Sequence, residues 1–405
     1  KRPRRDDAMP RPPALNPQTH HLKPSVFASL AGAFKTLPAP PVPLHLGDTF
    51  RQPPLAAQWS EVVAHLPKNP YAYASPEGLP ELRAAVAERL GRKGLAGITA
   101  ADVLPTSGGT GALATVTQTL LQAGDEVLVF APYWPLIRGM IHAVGAVPIE
   151  VPVYEGLRAG QTLQAIVEPY LSAKTAALYV TSPNNPCGTV LTPQQAQAVA
   201  QLANDRDLWV IADEAYHDFV YGDGSHTFVA NLPGMAERTA TVLTASKSFA
   251  LAGTRVGFLV GRGPWMDAAR RVATHQLYQV PIVGQVAALR AIETGEAWIA
   301  ETRDLYAEAA DVTARTLQAK FAPAAGGGYV FIDVRQELGD LTMIDYLRGL
   351  LHEGVCISPG DVFGADYGGW ARVCYTAVPL DQLHTGIARL NRSLERLRAG
   401  QPIGQ

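Results

Sequence analysis

Ala176-Ala177-Leu178-Tyr179-Val180, then Thr192-Pro193-Gln194-Gln195, then Leu208-Trp209-Val210-Ile211-Ala212: these three pieces, in this order, decide the fold. The outer two are short continuous apolar runs, as expected of strands buried on both faces. The middle piece opens a helix. Thr192 can cap it, Pro193 suits its first position and Gln195 completes a capping box, so a helix is expected through about Ala203. The alternation continues on both sides. Glu126–Phe130, Ala240–Leu243 and Val256–Val260 read as further buried strands, and Leu82, Ala85, Val86 and Leu90 recur at helical spacing, with Gly91 and Gly94 as stops. Buried strands alternating with helices define an α/β domain with a mostly parallel sheet.

Towards the C-terminus the pattern changes. A long alanine-rich helix is expected after Gly295, then a strand entered through Gly326-Gly327-Gly328-Tyr329, a helix over Met343 to Glu353, and strands near Val355 and Val373. This is a smaller α+β unit. Towards the N-terminus, Lys1 to Pro43 is a proline-rich arm opening Lys1-Arg2-Pro3-Arg4-Arg5, with one short helix expected over Pro24 to Leu30. Without aromatic interleaving the basic cluster reads as a solvated end rather than a nucleic-acid tail.

Composition narrows the function classes. The 405 residues are 47% hydrophobic and 17% charged, with a net charge of −2. That is globular, and it gives no basic face for nucleic acid. No run reaches the ~18 apolar residues of a membrane span, and no signal peptide is legible. Three cysteines, Cys187, Cys356 and Cys374, argue against a disulfide framework and for a cytoplasmic location. What remains is a soluble intracellular protein with a sizeable core, a description that fits most enzymes, so motifs must decide.

In α/β folds ligands sit beyond the C-terminal ends of the strands. Four segments stand out there. Thr181-Ser182-Pro183-Asn184-Asn185-Pro186-Cys187-Gly188-Thr189 is too polar and turn-rich for packing alone, although a plain tight turn would also explain it. Asp213-Glu214-Ala215-Tyr216 puts a carboxylate after a very apolar strand, as a helix cap or as the partner of a buried cation. Lys247, within Thr244-Ala245-Ser246-Lys247-Ser248, follows another buried strand. Partial desolvation there would depress its pKa and make it a Schiff-base nucleophile, although taken alone it reads equally as an ordinary surface lysine, and Arg255 eight residues on suits a phosphate. Ser107-Gly108-Gly109-Thr110-Gly111 leads a glycine-rich turn into a helix N-terminus, an anion site. Together they call for a ligand with a phosphate, a carbonyl that condenses with lysine, a ring nitrogen for the carboxylate and a ring hydroxyl. Pyridoxal 5′-phosphate has all four. No metal is expected.

From about Leu46 to Leu390 the sequence resembles the large aminotransferase family typified by aspartate aminotransferase, fold type I of the pyridoxal-phosphate enzymes. The motifs Ser182-Pro183-Asn184-Asn185-Pro186-x-Gly188-Thr189, Asp213-Glu214-Ala215-Tyr216 and Ser246-Lys247-Ser248-Phe249-x-Leu251-x-Gly253-x-Arg255-x-Gly257 occur in the family's order and at similar spacing. The resemblance implies a large domain, 51–290, with a mostly parallel seven-stranded sheet flanked by helices. It also implies a smaller α+β domain built from an N-terminal arm, 1–50, and the C-terminal part, 291–405. It implies that Lys247 carries the cofactor and shuttles the substrate proton, that Asp213 pairs with the ring nitrogen, and that Asn185 and Tyr216 bind the ring hydroxyl. Trp134 stacks on the ring. Gly109, Thr110, Thr244 and Arg255 hold the phosphate, with Tyr73 reaching it across a homodimer interface. Arg372 clamps the substrate α-carboxylate, and Gly47 closes over the substrate.

Two departures are visible. Gly47-Asp48-Thr49 stands where the family often has Gly-x-Pro, which implies a different lid. In His275-Gln276-Leu277-Tyr278-Gln279-Val280-Pro281, His275 takes the place of the arginine of dicarboxylate-specific members. That argues against aspartate as the preferred donor. A histidine there suits a polar or aromatic side chain, and equally an interface hydrogen bond. The expected reaction is ping-pong transfer of an amino group between an L-amino acid and a 2-oxo acid. Amino-acid lyase, decarboxylase or oxidase chemistry would use the same cofactor residues.

Overall fold

Seven strands form the main sheet: β2 (Val103–Ser107), β3 (Glu126–Phe130), β4 (Val147–Val151), β5 (Thr175–Thr181), β6 (Trp209–Asp213), β7 (Thr239–Thr244) and β8 (Val256–Val260). Their spatial order is β2-β8-β7-β6-β5-β3-β4, and β8 alone runs antiparallel to its neighbours. The computed structural model describes residues 14–22, 30, 32–35 and 37–403. The basic cluster lies outside the described residues, as does the short helix expected over 24–30 apart from Leu30.

The five apolar runs read from the sequence are the five inner strands, and helices cover them. The helix Pro193–Asp205 starts on the expected capping box: Gln195 N–H donates to Thr192 Oγ1 (3.2 Å), and Thr192 N–H donates to Gln195 Oε1 (2.9 Å). The helix Pro80–Arg92 buries Leu82, Val86 and Leu90 and is followed by Gly94 at φ +99°, a left-handed conformation that glycine adopts without strain. The sequence reading missed β2 and β4. Each contains a proline, Pro105 and Pro148, which breaks an apolar pattern but is tolerated at a sheet edge, and these are the two edges.

The second unit is a three-stranded antiparallel sheet, β11 (Ser358–Pro359), β12 (Trp370–Cys374) and β9 (Tyr329–Asp333), with the helices Glu296–Thr316, Met343–His352 and Leu380–Arg398. The chain before residue 45 joins it: β1 (Val42–Pro43) pairs in parallel with β10 (Val355–Cys356), and Leu30 and Leu44 share a core with residues between 309 and 394. The smaller α+β part is thus assembled from both ends of the chain. Strands β2, β5, β6 and β7 all end on one edge of the main sheet, where Arg255 also enters β8. Arg372 on β12 and Tyr329 on β9 face that edge across a cleft. Among the described residues no helix is long and apolar enough to cross a membrane.

Candidate active site

A cavity of about 310 Å³ occupies the cleft. Gly47, Gly109, Thr110, Trp134, Asn185, Asp213, Tyr216, Thr244, Lys247, Arg255 and Arg372 all line it. Of the residues expected in the site, only Tyr73 and His275 lie elsewhere.

One end is built for an anion. Strand β2 passes into the helix Gly108–Leu120 through Gly108, whose φ of +68° turns the chain so that the first free N–H groups face the cavity. A Cβ on Gly108 would lie 2.6 Å from a guanidinium nitrogen of Arg255, so only glycine lets this arginine lie against the turn. Arg255 itself sits at φ +56°, and its Nη1 donates to Ala252 O (2.8 Å). Thr244 caps the short helix Ala245–Ser248 by accepting from Ser246 N–H (3.2 Å).

The floor is acidic and lacks a cation. Asp213 ends β6 and is buried. Its Oδ2 accepts from the Tyr179 hydroxyl (2.7 Å), Oδ1 has only a long contact with Ala215 N–H (3.4 Å), and no ion pair forms with it among the described residues. Burial pushes its carboxyl up to about 6. Nearby, on the same cavity wall, Thr181 Oγ1 is buried without a partner among the described residues.

The upper wall carries Lys247. Burial pushes its ammonium below the usual lysine range, and Nζ donates to the carbonyl of Gly47. The Tyr216 ring lies 5.9 Å from that Nζ, and Tyr216 Oη is 2.5 Å from Tyr329 Oη. Arg372 is buried at the far end. Its Nη1 donates to Asn185 Oδ1 (3.0 Å) and its Nη2 to His45 O (2.8 Å), while Nε has no partner among the described residues. Burial and then the Arg372 charge push His45 down to about 4, so it adds no second charge at neutral pH. Trp134 bridges the cavity and the sheet core.

The donor set fits pyridoxal phosphate: an anion cradle at one end, an acid without an ion pair among the described residues at the floor, a buried lysine with a lowered pKa above, and an arginine beyond it. Three contributors escaped the sequence reading. Tyr179 reads as an ordinary apolar strand residue, Thr181 as a turn residue, and Tyr329 as the start of a strand. The one available signal was that buried phenols require partners.

Tyr73 is 84% exposed, with its ring 5.0 Å from that of Tyr278. His275 is exposed on the helix Trp265–Leu277, with Nδ1 2.8 Å from Arg271 O. Within one chain neither reaches the cavity.

The fold is that of an α/β protein with its cavity beyond the strand ends, and comparison with known proteins gives its family. The model of the class I and II aminotransferases matches residues 52–390, and the chain belongs to this family; it is an aminotransferase. It is 33% identical over 332 residues to a probable aspartate/prephenate aminotransferase of Thermus aquaticus, covering 80% of this chain and 82% of that one. It is equally similar, 33% over 338 residues, to an arginine–pyruvate transaminase of Pseudomonas aeruginosa, covering 82% and 84%. Among solved structures, the maleate complex of Thermus thermophilus aspartate aminotransferase superposes with a TM-score of 0.84 at 28% identity, covering 94% of this chain and all of the other.

Proposed function

We propose that this aminotransferase binds pyridoxal 5′-phosphate in the cavity and moves an amino group between an L-amino acid and a 2-oxo acid in two half-reactions. The observation that carries this reading is a buried carboxylate without an ion pair among the described residues, Asp213, sharing one cavity with a buried lysine, Lys247. When bound, the cofactor supplies a carbonyl for Schiff-base formation and a ring that accepts electrons. Asp213 holds a proton on the ring nitrogen, and that cation offsets the cost of burying the carboxylate. The Gly109 and Thr110 N–H groups, Thr244 and Arg255 take the phosphate. Trp134 covers one face of the ring, and Asn185 and Tyr216 hydrogen-bond the ring hydroxyl oxygen.

Lys247 is the nucleophile, because burial favours its neutral amine. In its neutral form Lys247 Nζ would take up the Cα proton of the substrate and hold it for return, acting as general base and then general acid. Arg372 binds the α-carboxylate, with its Nε, which has no partner among the described residues, available as a further donor. The Gly47 segment, which holds Lys247 Nζ through its carbonyl, closes over the substrate and excludes water.

Lys247, Arg255 and Arg372 are the lysine and arginine side chains on the cavity wall among the described residues, and each already has a role. No such cation of this chain remains for a second carboxylate, which favours an uncharged polar or aromatic donor over aspartate. The site is completed by a second copy. Tyr73 and Tyr278 meet ring to ring on the surface, and Tyr71, at 96% exposure, and Leu277 are exposed as well. A homodimer covering them brings Tyr73 to the partner's phosphate and His275 towards the donor side chain. We divide the chain into an arm (1–50), a cofactor domain (51–290) and a C-terminal domain (291–405), and assign it to the cytoplasm, in keeping with its three free, buried cysteines.

The test is an absorption spectrum of purified protein with pyridoxal phosphate, before and after single amino acids from a panel. A visible band that is absent in Lys247→Ala and is lost on adding a donor, with stoichiometric 2-oxo acid, is the expected result. Ammonia, carbon dioxide or peroxide as product would move the reaction to lyase, decarboxylase or oxidase chemistry.

A further inference from the structure

The geometry points to Tyr329 as a positioning residue that sets the hydrogen-bond donor strength of Tyr216 and carries the guanidinium of Arg372; the inference rests on the roles given to those two residues above. Tyr329 opens β9 directly after Gly326-Gly327-Gly328 and is 2% exposed. Its hydroxyl meets that of Tyr216 at 2.5 Å, with the rings edge-on at 82° and 5.6 Å between centroids. Its Oη makes no other hydrogen bond among the described residues. A Cβ on Gly47 would lie 2.9 Å from that oxygen, so the lid glycine packs directly on it. On the same ring rests Arg372, its Cζ 4.5 Å from the centroid, with Phe363 at 5.0 Å as a second ring contact.

Each hydroxyl has one proton. If Tyr216 donates to the ring oxygen of the cofactor, its own oxygen is left to accept, and Tyr329 is the phenol placed to donate to it. A phenol that accepts a hydrogen bond from a neighbour becomes a stronger donor to the next group, because bonds in a chain polarise one another. Tyr329 therefore strengthens the hold of Tyr216 on the anionic ring oxygen. That hold favours the deprotonated form of the nitrogen joining the cofactor to Lys247. The ring of Tyr329, separately, supports Arg372 through a cation–π contact in a desolvated site.

Two substitutions separate the two duties. Tyr329→Phe keeps the ring and loses the hydroxyl; Tyr329→Leu loses both. In a pH titration of the visible band of the holoenzyme, Tyr329→Phe is expected to raise the midpoint by roughly half a unit. Tyr216→Phe should move it the same way and further. On the Tyr216→Phe background, Tyr329→Phe should add nothing, since the effect passes through Tyr216. An unchanged midpoint, or an equal shift in both backgrounds, overturns the first duty. KM for the amino donor should rise roughly fivefold to thirtyfold in Tyr329→Leu but stay within about twofold in Tyr329→Phe. Equal KM in the two variants overturns the second. A wild-type protein that shows no visible band with pyridoxal phosphate would instead overturn the assignment of Lys247, and this inference with it.

Discussion

Two buried aspartates, Asp213 at the end of β6 and Asp218 in the turn five residues on, are driven in opposite directions by their surroundings. Asp213 faces the cavity, has a phenol and a distant N–H for company, and is pushed up to about 6 by burial. Asp218 faces the back. Arg89 Nη2 donates to it at 2.7 Å, Lys93 Nζ lies 3.4 Å away, and Arg89 also pairs with Glu296 (2.6 Å). Burial alone would raise Asp218, but the charges of His217 and Arg89 outweigh it and hold the carboxyl well below the usual range. The chain supplies its own cations where the charge is structural. Asp213 has no ion pair among the described residues, and under the proposed function the ring nitrogen of the cofactor would supply its cation.

The largest expected effect comes from breaking the back face. Arg89→Met strands the Asp218 carboxylate and should lower unfolding stability by about 3–5 kcal/mol in denaturant titrations. The next comes from the front. Asp213→Asn should cut kcat by roughly 10²–10³-fold, the usual loss for one preorganised electrostatic group. The same change should make the cofactor-free protein more stable at pH 8 by roughly 1–3 kcal/mol, because it removes a buried charge that has a phenol but no ion-pair partner among the described residues. The smallest effect tests the second copy. In hybrid dimers made by mixing Tyr73→Phe and Lys247→Ala chains, the affinity of the remaining lysine-bearing sites for pyridoxal phosphate should change about threefold to tenfold, the worth of one hydrogen bond. Unchanged affinity would count against Tyr73 acting across an interface.

The contrast between the two faces also explains what was legible beforehand. The five inner strands announced themselves as unbroken apolar runs, whereas Pro105 and Pro148 hid the two edge strands. The lysine, the front carboxylate and the glycine-rich turn were legible because each is a polar residue at the end of an apolar run, where packing cannot explain it. Arg89, Asp218 and Glu296 were not, since each looks like an ordinary charge on a helix or turn, and only the fold brings them together. Tyr179 and Tyr329 were hidden for the opposite reason: on a buried strand a tyrosine is indistinguishable from other apolar residues until its hydroxyl finds a partner. Tyr73 and His275 were read from resemblance alone, and within one chain they sit on an exposed face.

The most direct test applies one substitution at both positions. Asp213→Asn and Asp218→Asn are compared with wild type in the cofactor-free protein, by unfolding stability from pH 4 to pH 8. The folded-state value of Asp213 is raised, so its stabilising contribution is complete below the ordinary carboxylate value of about 4 and is lost as pH rises through about 6. That of Asp218 is lowered, so its contribution is complete at neutral pH and is lost as pH falls into the acid range. The expected result is opposite signs at pH 8: Asp213→Asn stabilises, by a margin that grows mainly between about pH 4 and pH 6, while Asp218→Asn destabilises. With saturating pyridoxal phosphate the gain at Asp213 should disappear. A stability change at position 213 that is flat across this range, or unaffected by the cofactor, would contradict the assignment of Asp213 as the acid that waits for the ring nitrogen.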